Sequence, residues 1–90
     1  MTTAIVLHRV ADYDAWRPVY DALNDTRDAA GVTDQEVLRS QDDAQFVIIR
    51  HEFATRDAAD AFFGGAELKQ AMTDAGVDTS TLQIHIADPT

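Results

Sequence analysis

The tripeptide Ala-Gly-Val occurs twice, at Ala30-Gly31-Val32 and Ala75-Gly76-Val77, forty-five residues apart in a chain of 90. Each copy closes an amphipathic, helix-like stretch and precedes a strand-like one. Glycine takes the left-handed turn after a helix, and the apolar residue beyond it packs back on the last turn. The chain therefore reads as two matching halves, each strand–helix–strand. That duplication constrains the architecture more tightly than any other feature.

Ala4 to Val10 is short, aliphatic and bounded by polar residues, which predicts a first strand. Asp12 is placed to cap a helix with Asp14 in its first turn. Trp16, Tyr20 and Leu23 recur at helical spacing, flanked by Tyr13 and Val19. Pro18 deletes a hydrogen bond if the helix starts at Tyr13 but is welcome near a helix start. The expectation is a turn over Tyr13–Arg17 leading into a helix that ends at Ala30. Val32 to Ser40 predicts a second, half-exposed strand, Gln41 to Ala44 a hairpin loop, and Gln45 to Phe53 a third strand. Phe46-Val47-Ile48-Ile49 is apolar enough for burial on both faces, as at the centre of a sheet. Thr55 with Asp57 opens a second helix that Gly64-Gly65 interrupts and that resumes from Ala66 to Ala75. In Thr81 to Ala87, the fourth strand, Leu82, Ile84 and Ile86 alternate with polar residues.

The order βαββαβ with right-handed crossovers gives an α+β, ferredoxin-like fold. Its four-stranded antiparallel sheet has strand order 4-1-3-2, with both helices on one face. Strand three is apolar on its other face too, so a homodimer through the open sheet face, closing a dimeric α/β barrel, is expected. A chain of 90 residues makes one domain, spanning residues 1–90. It buries about 60–65% of its unfolded surface, which also favours a dimer.

The charge excludes several roles. Seven Lys+Arg against sixteen Asp+Glu leave a net charge of −9. Such a surface repels nucleic acid and anionic lipid, so neither is expected as a partner. With no cysteine, disulfide and thiolate chemistry are excluded. No apolar run approaches a membrane span, and a cytoplasmic location is expected. Gly64-Gly65 lacks the spacing of a nucleotide loop, and neither Ser40 nor Ser80 sits in a nucleophile elbow.

Val10-Ala11-Asp12-Tyr13-Asp14-Ala15-Trp16, then Ala29-Ala30-Gly31-Val32, resembles the dimeric α/β-barrel superfamily of antibiotic-biosynthesis monooxygenase-like proteins. Glu52-Phe53 to Phe62 and Leu68 to Val77 are similar too, so the likeness spans nearly the whole chain. The resemblance implies a ferredoxin-like homodimer with a pocket in each subunit between sheet and helices. It also implies one of several activities: cofactor-free oxygenation of aromatic polyketides and quinols, polyketide cyclisation, haem degradation, or none. Fold alone does not choose among these.

Three histidines fall on three strands. A metal triad of His8, His51 and His85 conflicts with the strand order, which sets His51 and His85 about 9–10 Å apart. No metal and no cofactor are expected. His51 shares an otherwise apolar face with Val47, Ile49 and Phe53, where it is either a satisfied core residue or the base of a pocket. His85 shares a polar face with Thr81 and Gln83; it either meets solvent or lines the space between subunits, and is grouped with the substrate-binding candidates. His8 reads as structural. Trp16 and Tyr20 pack a core or wall a pocket for a flat ligand. Asn24 and Arg27 follow along that stripe. Arg27 either holds a ligand oxygen, snorkels to solvent, or pairs with Asp28 or Glu36. Two functions remain open. One is a small cofactor-independent oxygenase or cyclase acting on an aromatic or polyketide-like molecule, with His51 moving a proton. The other is a non-catalytic small-molecule-binding or structural homodimer module.

Overall fold

Alternation of side chains sets the sheet. In the computed structural model, which describes residues 1–90, β1 (Thr2–Val10) buries Ala4, Val6, His8 and Val10 and leaves the residues between them more exposed. The third strand in chain order, β3 (Phe46–Phe53), buries Val47, Ile49, His51 and Phe53 in the same rhythm. The two pair antiparallel with Ala4 opposite His51, Val6 opposite Ile49 and His8 opposite Val47, so the buried sets merge into one floor. The edges are β2 (Val32–Arg39) beside β3 and β4 (Val77–Ala87) beside β1. The order β2-β3-β1-β4 is the predicted 4-1-3-2 sheet read from its other edge.

Four helical pieces cover the floor: α1 (Tyr13–Ala22), α2 (Asn24–Ala29), α3 (Arg56–Phe63) and α4 (Ala66–Asp74). The Asp12 carboxylate accepts from the Asp14 N–H at 3.0 Å, and the Thr55 hydroxyl accepts from the Ala58 N–H at 3.2 Å. Both repeat glycines have positive φ, +96° at Gly31 and +78° at Gly76. The duplicated tripeptide is thus a duplicated helix stop.

Two expected boundaries differ. The first helix does not begin near Pro18: α1 starts at Tyr13, carries Pro18 inside it, and breaks at Leu23 instead. A proline there leaves the Asp14 carbonyl without its helical donor. The Asp12 cap and the burial of Trp16 from this turn hold the helix together regardless. The fourth strand begins four residues before Thr81, at Val77. An irregularity between Leu7 and Arg9 lets polar Asp78 pair with Arg9 and Val77 with Val10. There the Arg9 N–H donates to the Thr81 hydroxyl at 2.9 Å.

The core lies between floor and helices in two groups. Val6, Val10, Trp16, Val47, Ile49 and Ala75 form one, and Ala4, Val32, Phe53 and Ala59 the other. Phe63 packs against both. The sheet's second face carries half-exposed Ile5, Leu7, Phe46 and Ile48, with Leu38 47% exposed, and no part of the chain lies over it. Arg50 rims this face, 3.1 Å from Asp34, 3.1 Å from Glu52 and 3.8 Å from Glu36. No helix is long and apolar enough to cross a membrane.

Candidate functional site

A partly open, largely apolar cavity of about 50 Å³ lies between the floor and the helices. Val6, Ile49, His8 and His51 form its floor, and Trp16, Tyr20 and Arg27 its wall from α1 and α2. Phe62, Phe63, Leu68 and Met72 close it from α3 and α4. The two histidines are four residues apart across paired strands, an offset of roughly 13 Å along the strand direction, so they stand at opposite ends of the floor.

His51 is 3% exposed and sits among the rings of Phe53, Phe62 and Phe63, whose centroids lie 6.4, 6.0 and 5.8 Å away. Its Nδ1 has no hydrogen-bond partner in the chain. Burial, with the Arg27 and Arg50 charges adding to it, pushes the imidazole down to about 4. At neutral pH His51 is therefore a neutral base in an apolar enclosure. His8 is as deeply buried, meets the Trp16 ring edge-on at 5.9 Å, and also has an unpartnered Nδ1. Burial lowers its pKa too. His8 belongs to the cavity, which the sequence reading missed. Its parity with Val6 and Val10 carried the signal, since residues two apart on a strand share a face.

Arg27 is 3% exposed although charged. Its Cζ lies 3.7 Å above the Tyr20 ring, whose far neighbour is Trp16, stacked at 5.0 Å. The Nε has no partner, and no carboxylate forms an ion pair with the guanidinium. The expected pairing with Asp28 or Glu36 does not occur. Glu36 is engaged by Arg50, and Asp28 acts on Arg27 only through space. Burial pushes the Arg27 pKa down, yet a guanidinium remains protonated at any working pH.

Asn24 is one step removed. The Tyr20 hydroxyl donates to Gln35 Oε1 at 2.6 Å, and Gln35 Nε2 donates to Asn24 Oδ1 at 3.0 Å. This chain lines an outer, polar groove of about 420 Å³ between α1, α2 and β2. Tyr20 and Arg27 border both the groove and the inner cavity. His85 is not in the site. It pairs with Ile5 and so points to the opposite face of the sheet, exposed and 3.2 Å from Gln83 Oε1. Strand alternation separates it from His8 and His51. The structure thus brings together Trp16, Tyr20, Arg27 and His51, adds His8, leaves Asn24 on the outer side and excludes His85.

The sequence matches no protein-family model and no curated protein. Solved structures do match. A Bordetella bronchiseptica protein assigned as a candidate antibiotic biosynthesis monooxygenase superposes with a TM-score of 0.80 at 14% identity, over 99% of this chain and 96% of that one. SnoaB, a cofactor-independent oxygenase from Streptomyces nogalater, gives 0.78 at 12% identity, over 99% and 92%. The fold is that of the antibiotic biosynthesis monooxygenase-like proteins. Rv0793 from Mycobacterium tuberculosis adds a TM-score of 0.71 at 18% identity, over 100% and 96% of the two chains. In this chain the space between sheet and helices holds a neutral imidazole at each end and a buried cation at its side.

Proposed function

We propose that this chain is a small cofactor-independent enzyme that oxygenates an aromatic or polyketide-like molecule in the cavity between sheet and helices. The observation that carries the reading is the state of His51: buried, neutral and without a partner, on the wall of an apolar enclosure. A satisfied core histidine would have spent both ring nitrogens on hydrogen bonds. SnoaB, named as a cofactor-independent oxygenase, shares the fold and supports the reading by analogy.

The chemistry needs only substrate and dioxygen. His51 takes a proton from an activated C–H or O–H, leaving an enolate or phenolate beside the new imidazolium. Burial is what mainly depresses the imidazole, and the anion formed beside it stabilises the imidazolium and offsets part of that penalty as the proton moves. The anion then passes one electron to dioxygen, and the two radicals join in a C–O bond. The peroxide anion takes back the proton held by His51, and the hydroperoxide loses water, with the second hydrogen of that carbon, to leave a carbonyl. One oxygen atom ends in product and the other in water, and all four electrons come from the substrate. Trp16 and Tyr20 supply flat apolar walls. The same base would serve an aldol cyclisation, which consumes no oxygen.

The volume favours a second reading. About 50 Å³ holds dioxygen or a water or two, not a fused ring system. A binding or structural module with a nearly filled interior fits that volume as it stands. The enzyme reading requires the lid of Leu68 and Met72 to shift; α4 is set off from α3 by Gly64-Gly65, and Met repacks readily. Oxygen uptake with anthrone- and dihydroxyanthracene-type compounds decides between them. Turnover by wild type, reduced about 10²-fold or more in His51→Ala, is the expected result. No uptake with any compound would leave the binding module standing, and uptake unchanged in the variant would remove His51 from the chemistry.

The partner proposed for the open sheet face is a second copy of the chain. Ile5, Leu7, Phe46 and Ile48 lie together on it, and burying such a patch between two sheets is the usual solution. Light scattering is expected to give twice the 9.9 kDa chain mass for wild type, and the single-chain mass for Ile48→Lys. A monomeric wild type at micromolar concentration rules the pairing out.

A further inference from the structure

We propose that the cavity selects molecules carrying one ionised oxygen on an otherwise apolar ring, and that Arg27 is the residue that selects them. This rests on the cavity being a ligand site, but not on turnover there.

Arg27 is the one fully charged side chain on the cavity wall, and it is 3% exposed. Buried cations in proteins are ordinarily paired with a carboxylate, because an uncompensated one is strongly disfavoured. Here the face of Tyr20, 3.7 Å from Cζ, and the through-space pull of Asp21 and Asp28 compensate it without an ion pair, and the buried Nε–H remains without an acceptor. Of the carboxylates that act on it through space, Asp21 is held by Arg17 at 3.0 Å and Asp28 makes no ion pair with it. A stem of the same bulk with no charge, such as methionine, would fill the space without that cost. The retained charge points to a ligand that supplies the acceptor. The unpartnered nitrogens of His8 and His51 accept or donate according to tautomer, and so tolerate neutral polar groups at either end of the ligand. Only the Arg27 position demands an anion. The protein's net charge of −9 repels small anions in general, so retention of one reports a specific site.

The test compares 4-nitrophenolate with nitrobenzene, near-isosteric probes that differ in one ionised oxygen, by calorimetry above the phenol's own pKa. Wild type is expected to bind the phenolate at least about ten-fold more tightly, as a charge-assisted hydrogen bond in an enclosed site provides. In Arg27→Met the preference is expected to vanish with nitrobenzene binding retained, and in Arg27→Lys to persist in part. The wild-type comparison stands even where a variant fails to fold. Equal binding of both probes by wild type, no phenolate binding at millimolar concentration, or a preference that survives in Arg27→Met overturns the proposal. Selective phenolate binding without oxygen uptake from any substrate would keep this inference while removing the oxygenase reading.

Discussion

Replacing Trp16 by alanine is expected to lower the stability of the fold by about 3–5 kcal/mol, as loss of a large buried ring does. Trp16 is 3% exposed and is the largest side chain in the main core group. It stacks on Tyr20 at 5.0 Å, tilts against Tyr13 at 5.8 Å and meets His8 edge-on at 5.9 Å. The ring also anchors a helix weakened by an internal proline, so the loss extends beyond its own contacts. A domain of this size has about twice that margin in total, so the variant is expected to fold with about half its stability gone. Urea titration followed by far-ultraviolet circular dichroism measures the difference. A loss under about 1 kcal/mol would show that the ring packs loosely enough for its site to collapse around the gap.

Acid should weaken the protein well above the range where carboxylates titrate. The folded-state pKa of His51, about 4, lies below its ordinary value of 6.5. Above 6.5 the residue is neutral folded or unfolded, and its contribution is full. As pH falls from 6.5 to 4 the unfolded chain takes up a proton that the folded chain refuses, so stability drops through that window and levels off below it. The size of the effect is about 3 kcal/mol, from a shift of that width. His8 shifts in the same direction and adds to the fall. The depressed carboxyl groups of Asp43 and Asp78, held down by Arg9 and Ser80 respectively, act only at lower pH. Urea midpoints measured between pH 7 and pH 4 should decline steeply in wild type and clearly less in His51→Gln. Parallel declines in the two proteins would mean that the imidazole is hydrated in the folded state.

The sheet was legible because its signal is local. The short aliphatic stretch Ala4–Val10 and the doubly apolar run Phe46–Ile49 marked the two central strands, and the twin Ala-Gly-Val stops set the halves. Strand alternation put His51 on the apolar inner face and, applied to His8, puts it there too. Applied to the fourth strand, it removes His85 from the site. What composition hid was backbone pairing without apolar side chains: Asp78 to Ser80 look like a loop, yet their segment joins β1 past an irregular register. The helix start was hidden for a related reason. Pro18 argues for a break where it stands, but the Asp12 cap and the tertiary packing of Trp16 override that local preference and move the break to Leu23. Arg27 could not be placed from sequence because its fate depends on where distant carboxylates go. Glu36 turns to Arg50 across the sheet, and the guanidinium stacks on Tyr20 without an ion pair.

Because the Arg27–Tyr20 stack forms the partition between the polar groove and the inner cavity, a visitor arriving along the groove meets the cation before it meets the greasy chamber behind. Passage along that route requires prising a guanidinium off a phenol ring whose hydroxyl is tethered through Gln35 to Asn24. The threshold is thus built from the groups that discriminate, and the outer tether governs how stiffly the door is hung.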